Sequence, residues 1–194
     1  KLFFIITIFG IKVLPMTYFN TRDIVAIVMC ASIWGVLNNT LAPVIWKMTH
    51  LPITCDLLGF ISLILVVWWA RRFGAASLTG MLVTGLSFML RPDAFYMFGF
   101  AIASILFDIL TRLVGYNNCF DKTLPSILII ISFSTVCAGV AGLIIGNFFL
   151  EIRIALKVFT GLHAMGGFIG GVVGLVLVRA LMARKVMPSR EYGD

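Results

Sequence analysis

Long apolar runs, separated by short polar or charged connections, dominate the chain. A helix that crosses a bilayer needs about 20 consecutive, mainly apolar residues. Six runs between charged or proline-marked breaks approach or exceed that length. They cover residues 23–44, 53–70, 75–90, 95–114, 124–150 and 158–182. The third is short for a complete span, and the fifth is long enough to tilt or bend near its glycines.

The two ends of the chain fall outside this pattern. The apolar stretch at residues 2–13 is short, as is typical of a signal-type hydrophobic region, an interfacial segment or a truncated span, so residues 1–20 stay an unassigned apolar segment. Residues 21–187 form the predicted transmembrane domain, and residues 188–194 form a polar tail. The pattern therefore predicts an all-α membrane protein, built as one bundle of six transmembrane helices.

Composition supports a lipid environment. The 194 residues are 61% hydrophobic and 12% charged, whereas soluble domains are about half apolar and about a quarter charged. A net charge of +7 is compatible with nucleic-acid binding in principle. The basic residues, however, lie between apolar runs and form no stripe along one face. We therefore expect a lipid bilayer as the surroundings and no nucleic acid as a partner.

The basic residues also indicate an orientation. Of the 15 Lys and Arg residues, 11 flank the spans on one side of the predicted bundle. The other four are Lys47, Arg91, Arg153 and Lys157. Cytoplasmic connections of membrane proteins carry the excess of Lys and Arg. This bias predicts an even number of spans, with both termini in the cytoplasm, in a multi-pass protein of the plasma membrane.

Motifs of common enzyme chemistry are absent. The chain has no HExxH, no GxSxG and no Walker A phosphate loop. Its two histidines, His50 and His163, are far apart, and its four cysteines form no CxxC pair. We expect no enzymatic activity, no metal site and no cofactor.

Two predicted helices carry faces of small residues. The sequence GGFIGGVVG at residues 166–174 repeats glycine at every fourth position along two adjacent ridges, which allows another helix to approach closely. That helix belongs either to this bundle or to a partner subunit. The first span carries a second small face, made of Ala26, Cys30, Ala31 and Gly35. It lies in the predicted cytoplasmic half and is a candidate surface for a partner's helix.

Polar side chains inside the spans concentrate toward the predicted outer ends. Such groups are costly in hydrocarbon and usually face a cavity or a partner. A concave site with aromatic walls and a few polar groups is typical of small-molecule binding. The candidate ligand-binding residues are Asn38, Asn39, Trp46, Tyr96, Asn147 and His163. The connections that hold Trp46 and Arg91 are predicted to act as lids.

Two acidic residues in the spans have local explanations. Asp56 begins the second span and is predicted to cap it. Asp108 lies deeper, and Arg112 follows it by four residues on the same helix face. We expect an ion pair between Asp108 and Arg112.

Four stretches of the chain resemble the S components, the substrate-capturing membrane subunits of energy-coupling-factor (ECF) vitamin transporters. They are residues 21–37, the basic and glycine-containing entry at 72–80, residues 98–113, and the glycine-rich stretch 161–181. The likeness covers most of residues 21–185 and is closest to the thiamine or hydroxymethylpyrimidine group. It implies six helices, a vitamin bound near the outer face, and energy supplied by separate ATPase subunits through a membrane coupling subunit.

The resemblance also implies roles for particular residues. The small face of the first span would meet the coupling subunit, with Cys30 at a position where a smaller residue is expected. The thiamine-like group implies acidic residues in spans three and four, where this chain has Thr84, Ser87 and Ser104. A cationic ligand would then depend on other carboxylates, namely Glu151, Asp93 or Asp56. The alternative from a different class is a structural or accessory subunit of a larger membrane enzyme complex.

Overall fold

The computed structural model describes residues 18–49, 51–121, 123–149 and 156–188. The apolar stretch at 2–13 and the polar tail beyond residue 188 lie outside the described residues, as do His50, Glu151 and Arg153. The described part of the chain is almost entirely helical. Its helices are α1 (Thr21–Thr49), α2 (Ile53–Ala70), α3 (Ala75–Leu90), α4 (Met97–Val114), α5 (Tyr116–Phe120), α6 (Leu124–Ile144) and α7 (Leu156–Ala183).

Five of these helices are long and apolar enough to cross a bilayer, and α3 is a shorter apolar helix of 16 residues. Only α5, with five residues, was not among the predicted elements. After α6, a π-helical turn continues the fifth span over Ile145–Phe149. The predicted all-α membrane bundle is confirmed.

The first helix is longer than the pattern indicated. It passes through Pro43 and ends at Thr49. Proline removes one backbone hydrogen bond, which membrane helices tolerate when neighbouring groups compensate for it. Trp46 therefore lies on the last turns of α1, and its predicted place in a lid loop is wrong.

The six helices other than the short α5 form a ring in the order α1, α2, α7, α6, α4 and α3, and each packs on the next. α2 also contacts α3 and α4 across the interior. Trp34 of α1 shows how closely the neighbouring helices pack. A Cβ atom on Gly59 of α2 would lie 2.8 Å from the Trp34 ring, which also packs edge-on against Phe100 of α4.

The glycine ridges of α7 are used inside this ring. A Cβ atom on Gly170 would lie 3.1 Å from the backbone of Leu57 in α2, and one on Gly167 would lie 2.5 Å from the carbonyl oxygen of Ser134 in α6. Glycine is required because only bare backbone permits these approaches. The glycines therefore pack within the bundle, and the alternative of a partner subunit against them is wrong.

The small face of α1 also turns partly inward. Gly35 packs on α3, where a Cβ atom would lie 2.6 Å from Leu86 Cδ2. Ala31 is buried, whereas Ala26 and Cys30 are half-buried. Only two of the four predicted partner-contact residues therefore keep surface that a partner could reach.

Asp108 lies on α4 but stabilises the start of α3. Its Oδ2 accepts hydrogen bonds from the backbone N–H of Gly74 at 2.9 Å, from the N–H of Ser77 at 3.0 Å and from the Ser77 hydroxyl at 2.9 Å. The first N–H groups of a helix lack acceptors within it and attract negative charge. The predicted ion pair with Arg112 is wrong, because that guanidinium lies over the Phe73 ring instead, 5.4 Å from its centre.

Candidate ligand-binding site

A cavity of about 380 Å³ lies at one end of the bundle. At this end, which we call the cavity end, α1 ends and α2 begins, α3 connects to α4, and the π-helical turn precedes α7. The charge bias of the sequence predicts that this same end faces away from the cytoplasm. All of these elements contribute lining residues, so the cavity exists only in the assembled ring.

Four aromatic side chains form much of the cavity wall. Phe100 and Phe159 are almost completely buried, whereas Trp46 on α1 is 38% exposed and Tyr96 is half-buried. Apolar lining comes also from Ala42, one turn before Trp46. Aromatic rings bind other flat rings through offset stacking or edge contacts. The wall therefore suits a planar organic molecule.

Charged groups lie at the mouth of the cavity. Nη2 of Arg91 is 3.4 Å from Oδ2 of Asp93, and the Asp93 side chain is 76% exposed. An exposed pair of this kind contributes little to stability. Lys47 also lines the cavity and is exposed. The mouth thus presents both signs of charge to an entering molecule.

A buried His–Asp pair lies deeper. Nδ1 of His163, which lines the cavity, is 2.7 Å from Oδ2 of Asp56. The His163 side chain is 3% exposed, and that of Asp56 is fully buried. Neither carboxylate oxygen of Asp56 makes a hydrogen bond to the described residues, so its predicted role as a simple cap of α2 is wrong. A buried carboxylate needs a compensating partner, and His163 supplies one from α7.

Glycines on two helices make room for this pair. A Cβ atom on Gly166 of α7 would lie 3.0 Å from Asp56 Oδ2, and one on Gly142 of α6 would lie 2.8 Å from the Cβ of His163. The rings of Phe159 and Phe100 flank the imidazole at 4.6 and 6.0 Å between centroids. The pair is held between bare backbone and aromatic rings.

The structure brings three of the six predicted ligand residues together. Trp46, Tyr96 and His163 line the cavity. Asn38 and Asn39 instead join α1 to its neighbours: Nδ2 of Asn38 is 3.4 Å from the sulfur of Met97, and Nδ2 of Asn39 donates to Ser87 Oγ at 2.8 Å. The structure thus explains both asparagines as contacts between helices.

The last predicted ligand residue, Asn147, lies on the π-helical turn. Its side chain is exposed, whereas Ile145 of the same turn lines the cavity. The sequence indicated how deep Asn147 lies in the membrane. It did not indicate which way the π-helical turn directs the Asn147 side chain.

Sequence reasoning named Asp56 as a helix cap or as a carboxylate for a cationic ligand but missed its pairing with His163, and it missed the two buried phenylalanines as parts of the site. One signal for Asp56 was present. Asp56 follows the start of the second predicted span by three residues, and His163 follows the start of the sixth by five, so both lie at similar depth from the same side. Two ionisable groups at one depth in hydrocarbon are expected to seek each other. Phe100 and Phe159 carried no such signal among the 17 phenylalanines.

No known family model, curated protein or solved structure matches this chain.

Proposed function

We propose that this chain is the substrate-binding subunit of an uptake transporter for a small water-soluble molecule. One observation carries the proposal: a cavity at a single end of a membrane bundle, with aromatic walls and a buried His–Asp pair. Pockets of about 300–1,000 Å³ with mainly apolar walls and a few polar groups are typical of small-molecule sites. The cavity lies at the end that the charge bias assigns to the outside, where uptake begins.

Within this class we propose an S component of the ECF type, with a vitamin or vitamin precursor of the thiamine or hydroxymethylpyrimidine kind as substrate. The resemblance of the sequence supports the type, and the cavity supports the chemistry. A flat heteroaromatic ring fits between Trp46, Tyr96 and the buried phenylalanines. For a cationic ligand, the carboxylates of Asp93 at the mouth and Asp56 behind His163 supply negative charge.

The transport step requires partners under this proposal. The sequence carries no ATP-binding motif, so energy would come from ATPase subunits acting through a membrane coupling subunit. Ala26 and Cys30 of α1 remain candidates for the contact with that subunit, because each keeps part of its surface exposed. Large apolar side chains beside them, such as Val25 and Met29, are exposed on the same helix.

Purification from the membranes of the host organism tests this proposal. We expect the protein to retain a small molecule, detectable by mass spectrometry after denaturation and displaced by thiamine or hydroxymethylpyrimidine. We also expect a membrane coupling protein and ATPases in the same preparation. An empty protein that co-purifies with an oxidoreductase or another enzyme would instead support the accessory-subunit alternative.

A further inference from the structure

The two ring nitrogens of His163 have different surroundings. Nδ1 lies 2.7 Å from Oδ2 of Asp56, although the two groups are not aligned as a hydrogen bond. Nε2 is buried and has no hydrogen-bond partner among the described residues. The neighbours of the imidazole are the rings of Phe100 and Phe159 and the backbone at Gly142, which offer no donor from a side chain.

A buried polar atom without a partner is unfavourable, so Nε2 is an unusual feature in a native interior. His163 lines the cavity. Among the described residues, the cavity is therefore the side from which a hydrogen-bonding group can reach this nitrogen.

The position of Asp56 decides what that group must be. A neutral imidazole carries one proton, on one of its two nitrogens, and the hydrogen bond made by one nitrogen fixes the state of the other. A carboxylate this close to Nδ1 favours the proton there, because its negative charge attracts a proton on that nitrogen and can accept a hydrogen bond from it. Nε2 then presents a lone pair and accepts a hydrogen bond.

We propose that Asp56 is a positioning residue that holds His163 in its Nδ1–H form, and that Nε2 selects cavity ligands carrying an N–H or O–H donor. The ligand class is a flat aromatic or heteroaromatic molecule with such a donor at its edge. The selection of ligands by Nε2, the ligand half of this inference, rests on the proposed function. The protonation of His163 at Nδ1, the imidazole half, does not, because it concerns the protein without a ligand.

Nitrogen NMR of the full chain in lipid nanodiscs tests the imidazole half. The chain has two histidines, so His50→Gln leaves ¹⁵N-labelled His163 as the one imidazole signal. We expect Nδ1 protonated and Nε2 unprotonated.

Asp56→Asn should redistribute the proton between the two nitrogens of His163. Asp23→Asn, which alters an equally buried carboxylate near the start of α1, should not. A proton on Nε2 in the His50→Gln protein, or no response to Asp56→Asn, overturns the inference.

Two isosteric probes test the ligand half in the same nanodiscs. Benzimidazole carries an N–H where benzoxazole carries an oxygen. We expect the wild-type protein to bind benzimidazole about tenfold more tightly, the effect of about one hydrogen bond. Equal affinity for the two probes overturns the inference, and this comparison needs no variant that has to fold.

His163→Asn then separates the role of Nε2 from stability. Its amide still offers Asp56 a donor, so the buried carboxylate keeps a partner, but the acceptor at Nε2 is lost. We expect this variant to bind benzimidazole and benzoxazole with about equal affinity. Its unfolding midpoint should equal that of the wild-type protein. An unchanged preference overturns the inference. If the His163 proton lies on Nδ1 as expected but neither probe binds the wild-type protein, the ligand selectivity proposed for Nε2 is overturned, whereas the small molecule retained on purification decides the proposed function separately.

Discussion

Single buried carboxylates in this protein connect one helix to another. Asp56 joins α2 to α7 through His163, and Asp108 joins α4 to the start of α3. Both carboxylates are fully buried. A buried carboxylate is costly unless nearby groups compensate for it, so the contact of Asp56 with His163 and the hydrogen bonds to Oδ2 of Asp108 each favour one arrangement of two helices.

Asp108→Asn should destabilise the protein by about 2 kcal/mol, because an amide loses the charge that stabilises the first turn of α3 and brings an NH₂ group toward backbone donors. Unfolding in mixed micelles of increasing SDS content measures the change. Asp93→Asn is the matched control, since that carboxylate is exposed at the cavity mouth, and it should shift the free energy of unfolding by less than about 0.5 kcal/mol. Equal effects of the two substitutions would contradict the role given to Asp108.

Residue-level chemistry was only partly predictable from the sequence. Depth in the membrane follows from position in an apolar run, and depth sorting correctly singled out Trp46, Tyr96 and His163 as residues near one end. Direction around the helix does not follow, since runs that are apolar on all sides carry no strong amphipathic signal. For that reason Asn38 and Asn39 were expected in the cavity but bond to neighbouring helices.

At the scale of elements, the close packing of α7 on α2 and α6 is the feature that places His163. Gly161 and Gly167 both lie on α7, but a Cβ atom on Gly161 would meet nothing within 4 Å, whereas one on Gly167 would meet Ala138 and the backbone of Ser134. A glycine-to-alanine substitution at each position therefore distinguishes two effects on the free energy of unfolding: the preference of alanine for a helix, and the packing of α7 on α6.

Gly167→Ala should lower the free energy of unfolding by about 1–3 kcal/mol, since the added methyl group forces α6 and α7 apart. Gly161→Ala should leave stability unchanged or raise it by up to about 1 kcal/mol, because alanine favours a helix. Thermal unfolding of the two variants in one detergent measures the difference. A tolerated alanine at residue 167 would mean that α6 and α7 are further apart than described.

The elements themselves were the most predictable part of the fold. The predicted bounds of the second and third spans coincide with α2 and α3, because charges, glycine or proline mark their ends. The first and fifth spans were less predictable. α1 continues past Pro43, which no residue pattern indicated. The fifth span changes from α to π geometry at Ile145, beside Gly146, where the glycines predicted a tilt or bend but not its geometry.

For the whole molecule, the proposal requires that the cavity end face outward. Met48, near the end of α1, and Asn118, in α5 at the opposite end, are both exposed. In a background without the four native cysteines, a membrane-impermeant thiol reagent should label Met48→Cys in intact cells. It should label Asn118→Cys only after the membrane has been opened. The reverse pattern would place the cavity on the cytoplasmic side and contradict uptake from outside.

The proposed function requires that a small molecule occupy the cavity, and two adjacent residues of α1 test this requirement. Ala42 is buried and lines the cavity, whereas Leu41 is 46% exposed and does not line it. Ala42→Phe fills part of the space, and Leu41→Phe adds a ring to the outer face of the same helix turn. Both variants should unfold near the wild-type temperature.

The measurement is the amount of small molecule that each purified variant retains, quantified by mass spectrometry against the wild-type protein. We predict that Ala42→Phe loses at least about nine-tenths of the retained molecule, which corresponds to a loss of affinity of at least about tenfold, and that Leu41→Phe retains it in full. Equal retention by a folded Ala42→Phe protein would contradict the assignment of the cavity as the binding site.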